Sequence, residues 1–105
     1  MNDILLKCTG FEWDAHNTEK LRTRHGVDPT ESEQIFFNRP FVVGDDSKHS
    51  EKENRFFVLG KTDTGRLLFL VFTVRNNKIR VISARDMNRK ERESYQAHEK
   101  ENSSV

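Results

Sequence analysis

Residues 66–84, RLLFLVFTVRNNKIRVISA, decide the fold of this chain. Two runs in this stretch, Arg66 to Val74 and Lys78 to Ala84, have the length and the β-branched and aromatic content of strands. The pair Asn76-Asn77 between them tolerates the positive φ of a two-residue hairpin turn. From position 67 to 74 every residue except Thr73 is apolar, which predicts a central strand with both faces covered.

Further strands are predicted on the N-terminal side of this hairpin. Arg55 to Leu59 forms a third strand, joined to the hairpin by a turn at Asp63-Thr64-Gly65. Three consecutive strands with short connections predict an antiparallel meander. Phe41-Val42-Val43 predicts one more short strand, and the polar stretch Gly44 to Glu53 predicts a loop.

Capping residues and prolines predict three helices. Asp14 is a good N-cap and Gly26 a good C-terminal cap, while Pro40 excludes helical angles at the residue before it. The last helix has one sizeable apolar residue, Tyr95, so we expect it to dock on the sheet through that side chain. The predicted helices run from Asp14 to His25, from Pro29 to Phe36 or Phe37, and from Asn88 to about Glu99.

Length and composition limit the class of protein. With 105 residues the chain has room for one domain, which we place at 1–100, with 101–105 as a flexible tail. The single Cys8 cannot form an internal disulfide. No apolar run approaches the roughly 20 residues of a membrane helix, and the start of the chain lacks the pattern of a signal peptide. We therefore expect a cytoplasmic protein without membrane association. Four dispersed histidines and one cysteine predict neither a metal site nor a cofactor.

Charge is concentrated in one segment. Residues 75–92 contain seven Lys and Arg against two Asp and Glu, a net charge of +5 in a chain whose formal net charge is +1. Residues 1–53 carry −4 and residues 54–105 carry +5. An acidic front half and a basic rear half can bind each other, but such asymmetry is also typical of proteins that bind an anionic partner on one side. A basic site beside a strand end can hold phosphates.

Arg80 and Arg85 are the first candidates for a phosphate site. Strict alternation along the strand places them on opposite faces, unless the strand bends at its end. Arg80 has apolar neighbours and needs an anion, which can equally be a carboxylate of the acidic N-terminal half. Arg85 lies where the strand opens into a loop, and its guanidinium can fork onto a phosphate.

Other side chains have both a functional and a structural interpretation. Glu91, Arg92 and Tyr95 lie within about one helical turn of each other and can supply a base, a charge clamp and a proton donor. Alternatively, Glu91 closes a capping box, Arg92 is solvated and Tyr95 anchors the helix. At a helix C-terminus, His25 can face an anion as an imidazolium or be an ordinary C-terminal cation. Trp13 is either a core residue or a surface on which a base stacks.

A series of short segments, in a fixed order and spacing, extends over almost the whole chain. The segments are Phe11-Glu12-Trp13-Asp14, Asn17, Arg24-His25-Gly26-Val27, Phe36 and Phe37, Asp46 with His49-Ser50, Glu53 and Arg55, Leu59-Gly60, Arg80 to Arg85, Glu91-Arg92 and Tyr95. Together they resemble the BrnT family of bacterial toxins. Two positions depart from the family pattern: Arg24 replaces the usual Lys, and Asp86-Met87-Asn88 replaces a more basic turn capped by Thr.

The resemblance implies an α+β domain with a RelE-like fold: a central antiparallel sheet, two N-terminal helices and a C-terminal helix. It also implies a metal-independent endoribonuclease of a type II toxin-antitoxin system that inhibits translation and growth. In this activity the 2′-hydroxyl of the RNA attacks the adjacent phosphate. On this basis we expect Arg80 and Arg85 to clamp the phosphate, Glu91 or His25 to accept the proton, and Tyr95 or Arg92 to support the leaving oxygen. The residues expected to bind substrate are Arg24, Arg55, Arg92 and Trp13.

The resemblance further implies a protein partner. This would be a small BrnA-like antitoxin with a ribbon-helix-helix domain, through which the complex binds promoter DNA. Two alternatives remain open from the sequence. One is a noncatalytic RNA-binding or partner-binding module that uses the same basic surface, and the other is a purely structural subunit, which would show no salt-dependent binding of nucleic acid.

Overall fold

A computed structural model describes residues 5–46 and 53–103, without the side chains of residues 102 and 103. One five-stranded sheet, in the order β1-β5-β4-β3-β2, lies between two helices on one side and one helix on the other. The strands are β1 (Gly10–Phe11), β2 (Val42–Asp45), β3 (Phe56–Lys61), β4 (Leu67–Arg75) and β5 (Lys78–Asp86). The helices are α1 (Ala15–His25), α2 (Pro29–Ile35) and α3 (Arg89–Ser103).

The predicted α+β class and the antiparallel meander are confirmed. β2, β3, β4 and β5 pair in succession as antiparallel neighbours, and β4 is the middle strand of the five. Asn76 and Asn77 have φ values of 52° and 61°, as the hairpin turn requires. β1 was not predicted, because two residues that pair in parallel with β5 are too short to produce a pattern.

The side of the sheet that carries α1 and α2, here called the back face, contains the main core. Leu21 of α1 and Ile35 of α2 pack with wholly buried residues of the strands. α2 lies close to β3 at Gly60, where a Cβ atom would come within 2.4 Å of Cγ2 of Ile35. The strand residues of this core are Phe56, Val58, Leu68, Leu70, Phe72, Ile79, Val81 and Ala84.

α1 is fixed at both ends and in its middle. The Asp14 side chain accepts a hydrogen bond from the Asn17 backbone N–H at 2.7 Å, and Gly26 ends the helix with φ of 61°. The buried Asn17 amide donates from Nδ2 to the Val81 carbonyl of β5 at 2.7 Å. Because β1 ends at Phe11, beside Ile79, this carbonyl has no neighbouring strand, and Asn17 supplies the missing donor.

α3 lies on the opposite side of the sheet, here called the front face. Tyr95 is wholly buried against Leu59 and Met87, and its hydroxyl donates to the Pro40 carbonyl at 2.7 Å. Lys61 and Glu99 form an ion pair of 3.1 Å at the same corner of the sheet. The expectation that α3 docks through Tyr95 is confirmed.

Several predicted boundaries change: α2 ends at Ile35, β3 continues to Lys61 and β5 continues to Asp86. Gly44 and Asp45 belong to β2 rather than to the loop, and residues 47–52 of that loop lie outside the described residues. α3 continues to Ser103, so residues 101–103 of the expected tail are helical, while 104 and 105 lie outside the described residues. In the described part of the chain no helix is both long and apolar enough to cross a bilayer.

Candidate functional site

Among the described residues, α3 covers one corner of the front face of the sheet. Tyr95 and Met87 pack on Leu59, with Leu67 and Phe69 at the border of this contact. Beyond it, front-face side chains of β3, β4 and β5 remain partly exposed. The strand register assigns Phe57, Val71 and Ser83 to this part of the sheet, called here the open face.

A β-bulge brings Arg80 and Arg85 to the same face. Val71 is opposite Ser83, whereas the next residue of β4, Phe72, is opposite Val81, so Ile82 is an extra residue in β5. The inserted residue reverses the alternation, and both arginines point to the front. The placement on opposite faces that alternation predicts is therefore wrong for these two side chains.

The two arginines nevertheless lie too far apart to bind the same phosphate. Four residues of β5 lie between them, which separates them by roughly 15 Å along the strand. Arg80 reaches to the β1 edge, where its guanidinium binds Glu12 at 3.1 Å and Asp14 at 2.6 Å. Arg85 lies at the other end of the strand, beside the start of α3. The structural interpretation of Arg80, an ion pair with the acidic N-terminal half, is the one the geometry matches.

Arg85 and Glu91 form a bidentate pair. Nη1 and Nη2 of Arg85 donate to the two carboxylate oxygens of Glu91 at 2.8 and 3.0 Å. The guanidinium carbon also lies 4.2 Å from the centre of the Phe69 ring. The Arg85 bond, and then the Asn88 backbone N–H, lower the pKa of the Glu91 carboxyl, which keeps it ionised at neutral pH.

Glu91 also closes a capping box at the start of α3. It accepts from the Asn88 N–H at 2.9 Å, and its own N–H donates to the Asn88 side chain at 2.9 Å. In this geometry Glu91 can be both the carboxylate that closes the capping box and a candidate base. The capping box fixes the carboxylate on α3, and the carboxylate in turn fixes Arg85 beside the open face.

A second group of arginines lies at the opposite end of the open face. Arg75 binds Glu53 through Nε and Nη2, both at 2.9 Å, and Arg55 lies 3.9 Å from the same carboxylate. The Arg75 hydrogen bond lowers the pKa of the Glu53 carboxyl. Arg55, expected to bind substrate, therefore lies on the sheet with Arg80, but next to a carboxylate.

These contacts pair much of the positive charge of residues 75–92 with carboxylates. Four cations of the predicted +5 segment are held by carboxylates, two of which, Glu91 and Glu93, lie close in the sequence. The others come from the acidic half of the chain. The pairs are Arg75 with Glu53, Arg80 with Glu12 and Asp14, Arg85 with Glu91, and Arg89 with Glu93. The site is a set of oriented ion pairs rather than a bare basic patch.

Tyr95 cannot contact a substrate in this arrangement. Its side chain is wholly buried, and its hydroxyl is occupied by the Pro40 carbonyl. Burial raises the pKa of Tyr95 to about 12, with Glu99 adding to the effect. The geometry assigns this residue the role of helix anchor. Arg92 is exposed and donates to the Met87 carbonyl at 3.0 Å, at the base of α3.

Three expected site residues lie away from the open face. His25 and Arg24 are exposed at the end of α1, which packs on the back face, and the His25 carbonyl accepts from Arg66 at 3.2 Å. Arg24 borders a shallow hollow on α1 with His16 and Lys20. Trp13 packs against the back-face core, and its Nε1 donates to Glu33 at 2.8 Å. Trp13 is thus part of the back-face packing, whereas the pKa of the carboxyl of Asp86, the residue after Arg85, is lowered chiefly by Arg66 and also by the nearby His25.

One feature of the site was missed by the sequence analysis. The rings of Phe57 and Phe69 are stacked, with centroids 6.0 Å apart and planes at 13°. Alternation from Arg55 through Phe57 to Leu59 was the available signal, since it places one aromatic ring on the same face as an arginine.

The other surfaces of the described residues have fewer groups that can bind or cleave at a phosphate. An apolar groove of about 820 Å³ includes Phe11, Phe36 and Phe37, with Arg39 as its charged residue. None of the described residues that line it carries a carboxylate or an imidazole. Within residues 5–46 and 53–103, no group of three or more His, Cys, Asp or Glu side chains could hold a metal ion.

Comparison with known proteins points to one family. Residues 13–91 match the family model described as the ribonuclease toxin BrnT of type II toxin-antitoxin systems. The matched range contains Arg80, Arg85 and Glu91 and ends before Arg92 and Tyr95. The crystal structure of the Brucella abortus ribonuclease toxin BrnT has a similar fold, with a TM-score of 0.58 and 18% sequence identity, over 77% of this chain and 99% of the Brucella chain. No curated protein matches the sequence.

Proposed function

Since the family match spans three quarters of its length, this chain belongs to the BrnT family of ribonuclease toxins of type II toxin-antitoxin systems, and we propose that it cleaves RNA without a metal ion, by attack of the substrate's 2′-hydroxyl on the adjacent phosphate. The observation that carries this proposal is the bidentate pair of Arg85 and Glu91 at the edge of the open face. It combines a phosphate-binding guanidinium with an ionised carboxylate.

In the proposed reaction the two residues have different roles. Arg85 exchanges the Glu91 carboxylate for the scissile phosphate and stabilises the charge that builds up on that phosphate. Glu91 accepts the proton of the 2′-hydroxyl. As a phosphate oxygen replaces the carboxylate at Arg85, the interaction that lowers the pKa of Glu91 weakens, and the carboxylate becomes a stronger base.

The step balances as an internal transfer. A bond forms between the 2′-oxygen and phosphorus, and the bond from phosphorus to the 5′-oxygen breaks. The products are a 2′,3′-cyclic phosphate and a free 5′-hydroxyl, whose proton comes from solvent. Tyr95 does not supply this proton in the proposed reaction, because its hydroxyl is buried and bonded to the Pro40 carbonyl. Glu91 is preferred to His25 as the base because it contacts Arg85 directly.

Arg80 and Arg55 are proposed to bind phosphates farther along the strand. They share the front face with Arg85 but lie toward its other end, so they suit neighbouring nucleotides rather than the reacting one. Because Arg80 also ties β5 to Glu12 and Asp14, its replacement is expected to affect folding as well as RNA binding.

A second candidate function is favoured by a specific observation. All four arginines around the open face have carboxylate neighbours. This is the arrangement expected of a noncatalytic module that binds RNA or a protein while Glu91 stays paired with Arg85 and does not act as a base. One assay separates the two functions. RNA and the same sequence with 2′-deoxy sugars are incubated with the protein in EDTA. The ribonuclease gives cyclic phosphate from RNA only, whereas the module binds both and cleaves neither.

We further propose that the partner implied by the family is a small antitoxin with a ribbon-helix-helix domain, and that the complex binds promoter DNA through it. The largely exposed and highly charged surface of α3 supports a protein partner in this region. Co-expression with the adjacent reading frame should give a complex that purifies as one species and retains promoter DNA. Purification of the toxin alone from such cells, without toxicity, would contradict this pairing.

A further inference from the structure

Three flat groups form a row across the open face. Phe57 of β3 stacks on Phe69 of β4 at 6.0 Å between ring centroids, and Arg85 of β5 lies 4.2 Å above the centre of Phe69. The register explains the row, since Phe69 is opposite both Leu59 and Arg85, and Phe57 is one diagonal step from it. Arg85 and Phe57 therefore lie on either side of a single buttressing ring.

Core packing does not account for Phe57. Phe69 borders the cluster around Tyr95, but Phe57 belongs to neither apolar cluster of the described residues and remains partly exposed. Its ring instead occupies the space over Gly44 of β2, where a Cβ atom would lie 2.5 Å from Cε1 of Phe57. Glycine at this position leaves room for the ring to lie over the edge of the sheet.

The chemistry of the surroundings points to a nucleobase. An aromatic ring on an open sheet, with arginines to either side, is the arrangement by which proteins stack the bases of single strands and hold their phosphates. Every base has a π face, so such a platform needs no hydrogen-bonding groups. A base in a duplex has both faces covered and cannot use it.

We propose that Phe57, positioned by Gly44 and Phe69, is the platform on which a base of single-stranded RNA stacks, next to the phosphate that Arg85 binds. This proposal rests on the proposed function, since it takes RNA as the substrate. It assigns Phe57 to substrate binding and makes single-stranded RNA the substrate class. Phe57 is not a catalytic residue in this scheme.

The test measures binding without cleavage. A 2′-deoxy oligonucleotide containing 2-aminopurine is titrated into the wild-type protein, Phe57→Leu and Phe37→Leu. Phe57→Leu keeps most of the apolar bulk and removes the ring. Phe37, 74% exposed in the groove that contains Phe11 and Phe36, is the matched aromatic control. We expect Phe37→Leu to quench 2-aminopurine and to bind with wild-type affinity. Phe57→Leu should lose the quenching and bind about 5- to 100-fold more weakly.

Three further outcomes decide the proposal. An abasic site at the stacking position should weaken binding to the wild type but cause no further loss in Phe57→Leu, and equal losses in both proteins would overturn the platform. Duplex RNA that competes as well as single-stranded RNA would overturn the substrate class. Unchanged binding and quenching in a folded Phe57→Leu protein, verified by circular dichroism, would reject Phe57 even if RNA is cleaved.

The same measurements distinguish this proposal from the proposed function. If stacking is lost in Phe57→Leu while the wild type never yields cyclic phosphate, the platform stands and the ribonuclease mechanism fails. If both hold, cleavage by Phe57→Leu should show a raised KM with kcat close to that of the wild type, because the platform binds the substrate without contacting the reacting atoms.

Discussion

Tyr95 is the only tyrosine of the chain, so the absorbance of phenolate at 295 nm reports on this residue alone. Burial raises its pKa to about 12. We therefore expect a titration midpoint near 12 in the folded protein and near the ordinary value of about 10 in denaturant. The neutral phenol is the form that the fold favours, so its contribution to stability is complete below pH 10 and is lost as the pH rises toward 12.

Circular dichroism at each pH shows whether the fold persists during this titration. A midpoint near 10 in protein that is still folded would mean that the hydroxyl is accessible to solvent. Tyr95 would then return as a candidate donor for the leaving oxygen.

Glu91 gives a second prediction for a single residue. Its pKa is lowered in the folded state, chiefly by Arg85, so its charged form stabilises the fold at neutral pH. This contribution declines as the pH falls below the ordinary value of 4.5 and is gone below the folded-state pKa. Urea unfolding should show that Glu91→Gln is less stable than the wild type at pH 7, with the difference shrinking toward pH 3.

Other lowered carboxylates, such as Glu53 and Asp86, titrate in both proteins and cancel in this comparison. Glu93→Gln is the control, because Glu93 is 65% exposed and pairs with Arg89 at the surface. A constant difference between Glu91→Gln and the wild type from pH 7 to pH 3 would show that the pair with Arg85 does not form in solution.

Among the elements, α1 depends on one buried amide. Asn17 donates to the Val81 carbonyl, just before the bulge that sets the direction of Arg80 and Arg85. Asn17→Ala leaves that carbonyl without a donor and should lower the free energy of unfolding by about 1 to 3 kcal/mol. Chemical denaturation measures this, and Thr18→Ala on the same helix is the control. A change below about 0.5 kcal/mol would mean that water replaces the amide.

The elements also show what could be predicted from the sequence and why the rest could not. Caps and apolar runs act locally, so the helix starts at Asp14 and Asn88 and the hairpin at Asn76 were predictable. The bulge at Ile82 was not, because an inserted residue in an apolar run leaves no trace in the pattern. The same holds for β1, whose two residues gain their structure from β5.

Across the whole molecule, the sequence indicated that the acidic and basic halves can pair, but not which residues meet. The segment 75–92 carries +5, but its arginines meet carboxylates as distant as Glu12 and Glu53. A count of charges along the chain cannot show this, because it depends on which strands become neighbours. Arg85 and Glu91 were both predicted as site residues because their contact is local. For Trp13 the sequence left a core residue and a stacking surface open, and the structure packs it against the back-face core.

Internal pairing predicts a weak salt dependence of RNA binding. Seven free cations would give a slope of log K against log salt of about −5 for a single strand. Because carboxylates already act as counterions here, we expect a slope of about −1 to −2, measured by fluorescence anisotropy with a 2′-deoxy oligonucleotide between 50 and 300 mM KCl. A slope near −5 would mean that RNA displaces the carboxylates and that the ion pairs open on binding.

The central claim is that Arg85, at the edge of the open face, binds the phosphate at which RNA is cleaved. Its most direct test is the single-turnover cleavage rate of Arg85→Ala in EDTA. Arg89→Ala is the control, since Arg89 lies in the same basic segment but is 87% exposed on α3. With both variants folded, we predict a loss of about 10²- to 10³-fold for Arg85→Ala and a rate within twofold of the wild type for Arg89→Ala. Cleavage by folded Arg85→Ala at the wild-type rate would contradict the account.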